Sequence, residues 1–149
     1  MDLRDIKSKD SGLFYFDTSG YSMWPFLRQG TRVIVKKAPL MSLAIGDIVL
    51  YKSTNNSLIC HRIVRKLKNK NGHVIYVRGD NSLSPPEIIS EGRFLGKVMG
   101  VVKNSKKVIV LNSVKWRIIN RLIVMISPLV VMVNRIAKPV YKKCLKIRS

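Results

Sequence analysis

The sequence predicts a mostly β protein, an antiparallel β-sandwich or irregular barrel followed by a basic helical tail. Short runs rich in Val, Ile, Tyr and Phe fill residues 12–111, and turn signals rather than helical patterns separate them. After residue 112 the chain becomes apolar and basic. A length of 149 residues suits one domain and a tail. We therefore predict a charged N-terminal tail (1–11), a β domain (12–111) and a C-terminal helical segment (112–149).

Seven strands are predicted from these runs. Turns rich in Gly, Asn and Asp bound them, and Lys70-Asn71-Gly72 is the clearest hairpin signal. Many short strands at close spacing favour antiparallel pairing. The predicted strands are residues 13–16, 32–36, 47–52, 58–65, 73–78, 94–102 and 107–111.

Charge is the most unusual property of the composition. Twenty-eight Lys and Arg against eight Asp and Glu give a net charge of +20, so the surface should attract phosphate groups of nucleic acid or anionic lipid. Apolar residues make up 46% of the chain, enough for a core, which excludes a wholly disordered polycation. Two His, two Cys and eight scattered acids supply few ligand sets, so no metal or other cofactor is expected. Cys60 and Cys144 are too distant in sequence to suggest a disulfide framework.

The two ends of the chain differ in what they predict about membranes. Residues 1–11 are charged and lack an apolar stretch, so neither a cleavable signal peptide nor an N-terminal anchor is expected. Residues 115–149 carry nine Lys or Arg and no acid. Their apolar stretch at 122–133 is shorter than the ~20 residues that a membrane span needs.

We therefore expect a helix that lies on an anionic membrane surface, and the sequence does not specify the side of the membrane. The rest of the protein is expected in the cytoplasm. A helix docked on the β domain and a tilted span are the alternatives.

Three residues have the chemistry of a hydrolytic site. Ser22 follows a turn, where a nucleophile and a backbone donor for an oxyanion are often presented. Strand alternation places His61 on the face opposite Cys60, between two isoleucines, as a candidate general base. Asp80 sits in a turn after a strand and could support an imidazole. Each also has a structural explanation: a loop serine, a core histidine and a carboxylate that bonds its own backbone.

The order of these residues resembles the type I signal peptidase and SOS-repressor autopeptidase superfamily of serine peptidases. The resemblance covers about residues 12–102 and rests on four motifs in order. They are Ser22-Met23-Trp24-Pro25, Gly46-Asp47-Ile48-Val49, His61-Arg62 and Gly79-Asp80-Asn81-Ser82. The stretch Phe94-Leu95-Gly96-Lys97-Val98 also looks like the closing strand of the same fold.

The resemblance implies a signal-peptidase-like fold and a set of roles. Most members have a lysine base where this chain has His61, and the histidine is similar to the endoplasmic-reticulum, archaeal and sporulation-type signal peptidases. By this similarity Ser22 is the nucleophile, His61 the general base and Asp80 the supporting acid. The Ser22 amide serves the oxyanion, and Met23 and Pro25 contact substrate.

One motif departs from the family pattern after the Asp80 turn. The family usually continues to a second Asp followed by Arg, whereas this chain reads Ser84-Pro85-Pro86-Glu87. Asp80 therefore serves alone, or Glu87 partly substitutes for the second acid.

The expected function is a serine endopeptidase that removes a leader or signal-type peptide from a precursor protein. An alternative is an inert or self-cleaving peptidase-like protein whose charge binds nucleic acid. Specific nucleic-acid recognition is not expected, since no helix-turn-helix, zinc finger or RNA-binding aromatic motif is present.

Overall fold

A computed structural model describes residues 12–69, 72–103, 107–111 and 113–146. The predicted N-terminal tail lies outside these residues. Within them, eight strands precede one long helix. The elements are β1 (Leu13–Asp17), β2 (Arg32–Lys36), β3 (Ile48–Lys52), β4 (Leu58–Asn69), β5 (Gly72–Arg78), β6 (Glu87–Ile89), β7 (Phe94–Lys103), β8 (Lys107–Val110) and α1 (Val114–Lys146).

The seven predicted strands are all present, and the largest difference at an end is in β4, which continues to Asn69. The eighth strand, β6, was not predicted, because it has three residues and follows two prolines. Strands β4 and β5 pair down to Asn69 and Gly72, which confirms the hairpin. The tip of its turn, residues 70 and 71, lies outside the described residues.

The strands form a single antiparallel sheet that curls into a half-barrel, which confirms the predicted fold class. The order is β1-β2-β7-β3-β4-β5-β6, with β8 paired to β7. The long strand β7 holds the sheet together, because it pairs with β2, β3 and β8.

Alternating side chains on the central strands build two separate cores. On β3, Ile48 and Leu50 enter the first core, whereas Val49 and Tyr51 enter the second. Burial of each such side chain contributes about 1.5–3 kcal/mol to the free energy of unfolding. The first core also contains Met23, Leu27, Val33, Val35, Cys60, Val98, Val101 and Leu111, and the second Leu40, Leu43, Ile63, Ile75, Val77 and Ile89.

Helix α1 docks on the β domain through its N-terminal half. Trp116 packs edge-on against Phe26 at a centroid distance of 5.7 Å. Asn120 is buried, and its backbone passes so close to Gly46 that a Cβ there would lie 3.1 Å from the Asn120 carbonyl carbon. Ser127 is also buried and accepts a hydrogen bond from Arg78 Nη2 at 2.6 Å. One face of the helix is therefore part of the domain.

The opposite face of α1 is exposed and apolar. Its side chains recur at intervals of three and four residues, so they form one stripe along the helix. No helix within the described residues is long and apolar enough to cross a membrane. The exposed stripe consists of Val114, Ile118, Leu122, Met125, Ile126, Leu129 and Met132.

Candidate active site

Ser22 lies in the turn that joins β1 to β2, and two buried side chains fix this turn. Met23 and Leu27 insert into the first core, and the Leu27 amide donates to the Met23 carbonyl at 2.9 Å. The Trp24 amide donates to the Tyr21 carbonyl at 3.1 Å, and the Trp24–Pro25 peptide is cis. With its neighbours anchored below, Ser22 is held half-buried at the rim of the domain.

Ser22 and His61 meet at Gly79. A Cβ on Gly79 would lie 2.6 Å from the Ser22 carbonyl oxygen, 2.9 Å from Ser22 Cβ and 3.1 Å from His61 Nε2. Both side chains therefore approach the same point on the backbone, and only glycine leaves room for them there. The Asn81 amide donates to the Ser22 carbonyl at 2.8 Å, which ties the serine turn to the turn after β5.

The other ring nitrogen of His61 contacts β3. His61 Nδ1 lies 3.0 Å from the Tyr51 hydroxyl, which donates to Glu87 Oε2 at 2.9 Å. Glu87 in turn forms an ion pair with Arg93. A continuous chain of polar contacts thus runs from the imidazole, through a fully buried tyrosine, to a carboxylate on β6.

Burial and charge act in opposite directions on this histidine. Desolvation lowers the pKa of His61, while the charges of Glu87 and, to a smaller extent, Asp80 raise it, and the net pKa lies below the ordinary value. Desolvation raises the pKa of Glu87, but hydrogen bonds from Arg93 and Tyr51 outweigh it and the net pKa is lowered. At neutral pH the site thus holds a neutral imidazole and an ionised Glu87.

Asp80 has a different hydrogen-bonding partner from the one predicted. Its two oxygens accept from Arg62 Nε and Nη2, both at 2.8 Å, and the Arg62 side chain is completely buried. Arg62 Nη1 also donates to the Gly46 carbonyl at 3.0 Å and to Asn120 Oδ1 at 2.7 Å. Asp80 is near enough to act on His61 by charge, but the hydrogen bond to Nδ1 comes from the side of Tyr51.

A cleft of about 320 Å³ opens beside Ser22 and His61. The end of β1 forms one wall and the start of β4 the other, and both offer strand edges. Strand β1 ends the sheet, and residues 58–61 of β4 pair with β3 on one side, while pairing with β5 begins at Arg62. The cleft is lined by Phe16, Thr18, Ser19, Gly20, Met23, Leu27, Ser57, Leu58, Ile59 and Cys60 as well.

The two residues predicted to contact substrate lie in different places. Met23 lines this cleft, although most of its side chain belongs to the first core. Pro25 lies on the far side of the serine turn, where it lines an apolar cavity of about 560 Å³ between the β domain and α1. A substrate contact for each stays a prediction.

Cys60 offers no competing nucleophile. Burial raises the pKa of its thiol to about 12, so the reactive thiolate is absent near neutral pH. The described residues also contain no cluster of three or more His, Cys, Asp or Glu side chains that could hold a metal ion. Ser22 and His61 are the candidate nucleophile and base of this site.

Sequence reasoning missed Tyr51 and the packing role of Gly79. Tyr51 belongs to an apolar strand and looks like a core residue from the sequence. Its hydroxyl reaches His61 because β3 and β4 pair with Val49 opposite His61, which makes Tyr51 a diagonal neighbour on the same face. That register was the missing information.

Ser22 and His61 converge on Gly79 on a curled antiparallel sheet, and this is an arrangement that a serine peptidase needs. The Peptidase S24-like family model matches residues 2–102, about two thirds of the chain. The protein belongs to this family, within the superfamily that the sequence motifs indicated. No curated protein and no solved structure shows a significant match.

Proposed function

We propose that this protein is a serine endopeptidase that cleaves a leader or signal-type peptide from a precursor. The observation that carries the proposal is the approach of Ser22 and His61 Nε2 to the same point at Gly79. Membership of the Peptidase S24-like family supports the serine peptidase type in general. The particular pair of residues and the kind of substrate are our inference.

The proposed reaction uses the two residues in succession. His61 Nε2 takes the Ser22 proton while Ser22 Oγ attacks the scissile carbonyl, and the Ser22 amide donates to the oxyanion. The imidazolium then protonates the leaving amine, which releases the first product and leaves an acyl-enzyme. Water, activated by the same imidazole, attacks the ester and regenerates Ser22.

The strand edges at the cleft favour an extended peptide as substrate. A peptide that runs between β1 and residues 58–61 of β4 could hydrogen-bond to both edges, as in β-strand addition. The floor consists of side chains such as Phe16, Leu27 and Leu58, and the cleft is small. Small apolar side chains next to the scissile bond fit this space best.

The test compares two serines that line the same cleft. New N-termini are sequenced in the host proteome with intact protein, with Ser22→Ala and with Ser19→Ala, and candidate precursor peptides are then cleaved with purified protein. We expect cleavage by the intact protein and by Ser19→Ala, and none by Ser22→Ala. Equal cleavage by all three proteins would refute Ser22 as nucleophile. Shortening of the protein itself, without cleavage of added peptides, would favour the self-cleaving alternative.

We also propose that α1 holds the peptidase on an anionic membrane surface. The exposed stripe on α1 supports this, because a large contiguous apolar surface is uncommon on a protein that stays in water. The nine Lys and Arg of residues 115–149, with no acid among them, supply the complementary charge for lipid phosphates. Docking of the opposite helix face on the β domain would then keep the active site near the membrane.

Liposome flotation of the full chain tests the membrane proposal. Met125 is 76% exposed within the stripe, and Met41 is 54% exposed on a turn of the β domain, so Met125→Glu and Met41→Glu form a matched pair. We expect the intact protein and Met41→Glu to float with anionic vesicles, and Met125→Glu to float several-fold less. Equal flotation of both variants would refute the stripe as the membrane-binding surface. Preferential binding of the intact protein to random duplex DNA would favour the nucleic-acid alternative.

A further inference from the structure

The hydroxyl of Tyr51 stands between His61 and Glu87 and carries a single proton. Glu87 is ionised and accepts hydrogen bonds without donating any, so the Tyr51 proton points to Glu87 Oε2. The Tyr51 oxygen then faces His61 Nδ1, 3.0 Å away, as an acceptor. A hydrogen bond at that distance therefore requires a proton on Nδ1.

A proton on Nδ1 decides what the opposite nitrogen can do. In a neutral imidazole only one nitrogen carries the proton, so Nε2 keeps its lone pair. This is the nitrogen that lies by Ser22 and Gly79. Nε2 therefore needs no change of tautomer before it can accept a proton.

We propose that Tyr51 and Glu87 are the positioning residues of His61, taking the place that a directly bonded aspartate has in a Ser-His-Asp triad. The inference rests on the proposed function, since it concerns the same site. Tyr51 fixes the tautomer and the ring orientation, and Glu87 orients the Tyr51 hydroxyl. Asp80 is left to pair with Arg62.

The surroundings of both positioning residues keep them in place. Tyr51 is fully buried in the second core, so its ring cannot swing away from His61. Arg93 pairs with Glu87 and also donates through Nε to the Lys52 carbonyl at 2.7 Å, which ties it to the end of β3. The charged and titratable groups that act on His61 are thus Tyr51 on β3, Asp80 after β5 and Glu87 on β6, while Arg93, in the turn before β7, contacts Glu87.

The direct test is nitrogen NMR of ¹⁵N-histidine-labelled protein, which reports the protonated nitrogen of each ring. The chain has two histidines, and His73 serves as the internal control. We expect neutral His61 with its proton on Nδ1 in the intact protein and in Tyr76→Phe, which removes a tyrosine hydroxyl elsewhere. Tyr51→Phe should give a mixture with substantial Nε2 protonation. His61 protonated on Nε2 in the intact protein would overturn the proposal.

Kinetics separate the two positioning residues from each other. Tyr51→Phe lowers the fraction of the useful tautomer, so the plateau of kcat at high pH should fall at least about tenfold, while Tyr76→Phe keeps it. Glu87→Gln retains an acceptor for Tyr51 but loses the charge that raises the His61 pKa, so the rising limb should move to lower pH. Glu91→Gln is the matched control. A loss of stability alone would change neither the His61 tautomer of the folded protein nor the pH midpoint of the rising limb.

The outcomes distinguish this inference from the proposed function. If the intact protein cleaves nothing, the proposed function fails, and NMR still decides the tautomer of His61. If the intact protein cleaves peptide and Tyr51→Phe changes neither plateau nor tautomer, the positioning role is wrong and the peptidase assignment stands. Should Tyr51→Phe not fold, the pH shift in Glu87→Gln carries the test, and an unshifted limb there overturns it.

Discussion

His61 and Arg62 are adjacent on β4, but His61 belongs to the candidate active site and Arg62 to a buried ion pair that stabilises the fold. His61 faces Tyr51 and, through it, the carboxylate of Glu87. Arg62 points to the other face, where it binds the carboxylate of Asp80 and the side chain of Asn120 on α1. Each residue thus has its own acid, and strand alternation separates the two systems.

The comparison shows that the two residues of one motif, His61-Arg62, can have separate roles. One lies in the candidate active site, and the other stabilises the fold. The His61 side is partly solvated and contains groups whose protonation can change. The Arg62 side is a buried ion pair with further hydrogen bonds, which hold the turns at Gly46 and Asp80 and the helix α1 together. Removing either partner of such a pair leaves an uncompensated charge in the interior.

The largest effect on activity should come from removing the imidazole of His61. His61→Ala is expected to lower peptide cleavage at least about 10³-fold with little change in Tm, because Ser22 loses its base. His73→Ala, at the second histidine, should retain activity. The measurement is kcat/KM beside a thermal melt. Activity within tenfold of the intact protein would remove His61 from the mechanism.

Asp80→Asn tests how much the buried ion pair of Arg62 and Asp80 stabilises the fold. We expect it to lower the free energy of unfolding by roughly 3 kcal/mol, because buried Arg62 loses its charged partner. The control is Asp17→Asn, whose carboxylate pairs with the exposed Arg32, and it should cost less than about 1 kcal/mol. Denaturant unfolding measures both. A stable Asp80→Asn protein as inactive as His61→Ala would instead make Asp80 the supporting acid.

Gly79→Ala probes the point where the serine turn meets the histidine. A methyl group there would be 2.6 Å from the Ser22 carbonyl oxygen and must displace the turn. A displacement of about 1 Å can cost roughly 10²-fold in rate, and we expect a loss of that size in kcat. Gly92→Ala, where a Cβ meets nothing within 4 Å, should be neutral. Equal activity of the two variants would contradict the convergence of Ser22 and His61.

The smallest expected effect is the dependence of activity on pH, which tests the role of His61. Desolvation lowers the pKa of His61, and its neutral form is the base, so activity should rise with pH through a midpoint below the reference value of ~6.5 and stay level above it. Measured kcat/KM between pH 4 and pH 10 checks this. A profile that climbs only above ~pH 9 would point to Lys36, Lys37 or Lys52 as the base.

Much of the fold was available from the sequence, because it depends on local signals. The spacing of β-branched and aromatic runs predicted seven strands, and Lys70-Asn71-Gly72 predicted the hairpin of β4 and β5. The close spacing of these runs predicted an antiparallel β-sandwich or irregular barrel, and the family resemblance implies the same fold. Strand β6 was missed because three residues after two prolines carry too little periodicity.

The helical tail was predicted in character but not in placement. Composition indicated an apolar, basic helix, and α1 agrees with it. The expectation was a helix on a membrane surface, and the alternatives were a helix docked on the β domain and a tilted span. The structure places Trp116, Asn120 and Ser127 against the β domain and leaves the stripe exposed, because a helix can bury one face and present another.

The sequence by itself determined the family, the candidate nucleophile and base, and the strands that carry them. Only the tertiary structure decided which acid lies on the side of His61 and which acid pairs with Arg62. Asp80 and Glu87 are both acids after β5 in sequence, and nothing local separates them. Strand register puts Tyr51 and Glu87 on the face of His61 and gives Asp80 to Arg62, since hydrogen bonds form between groups that the sheet brings within about 3 Å, whatever their distance along the chain.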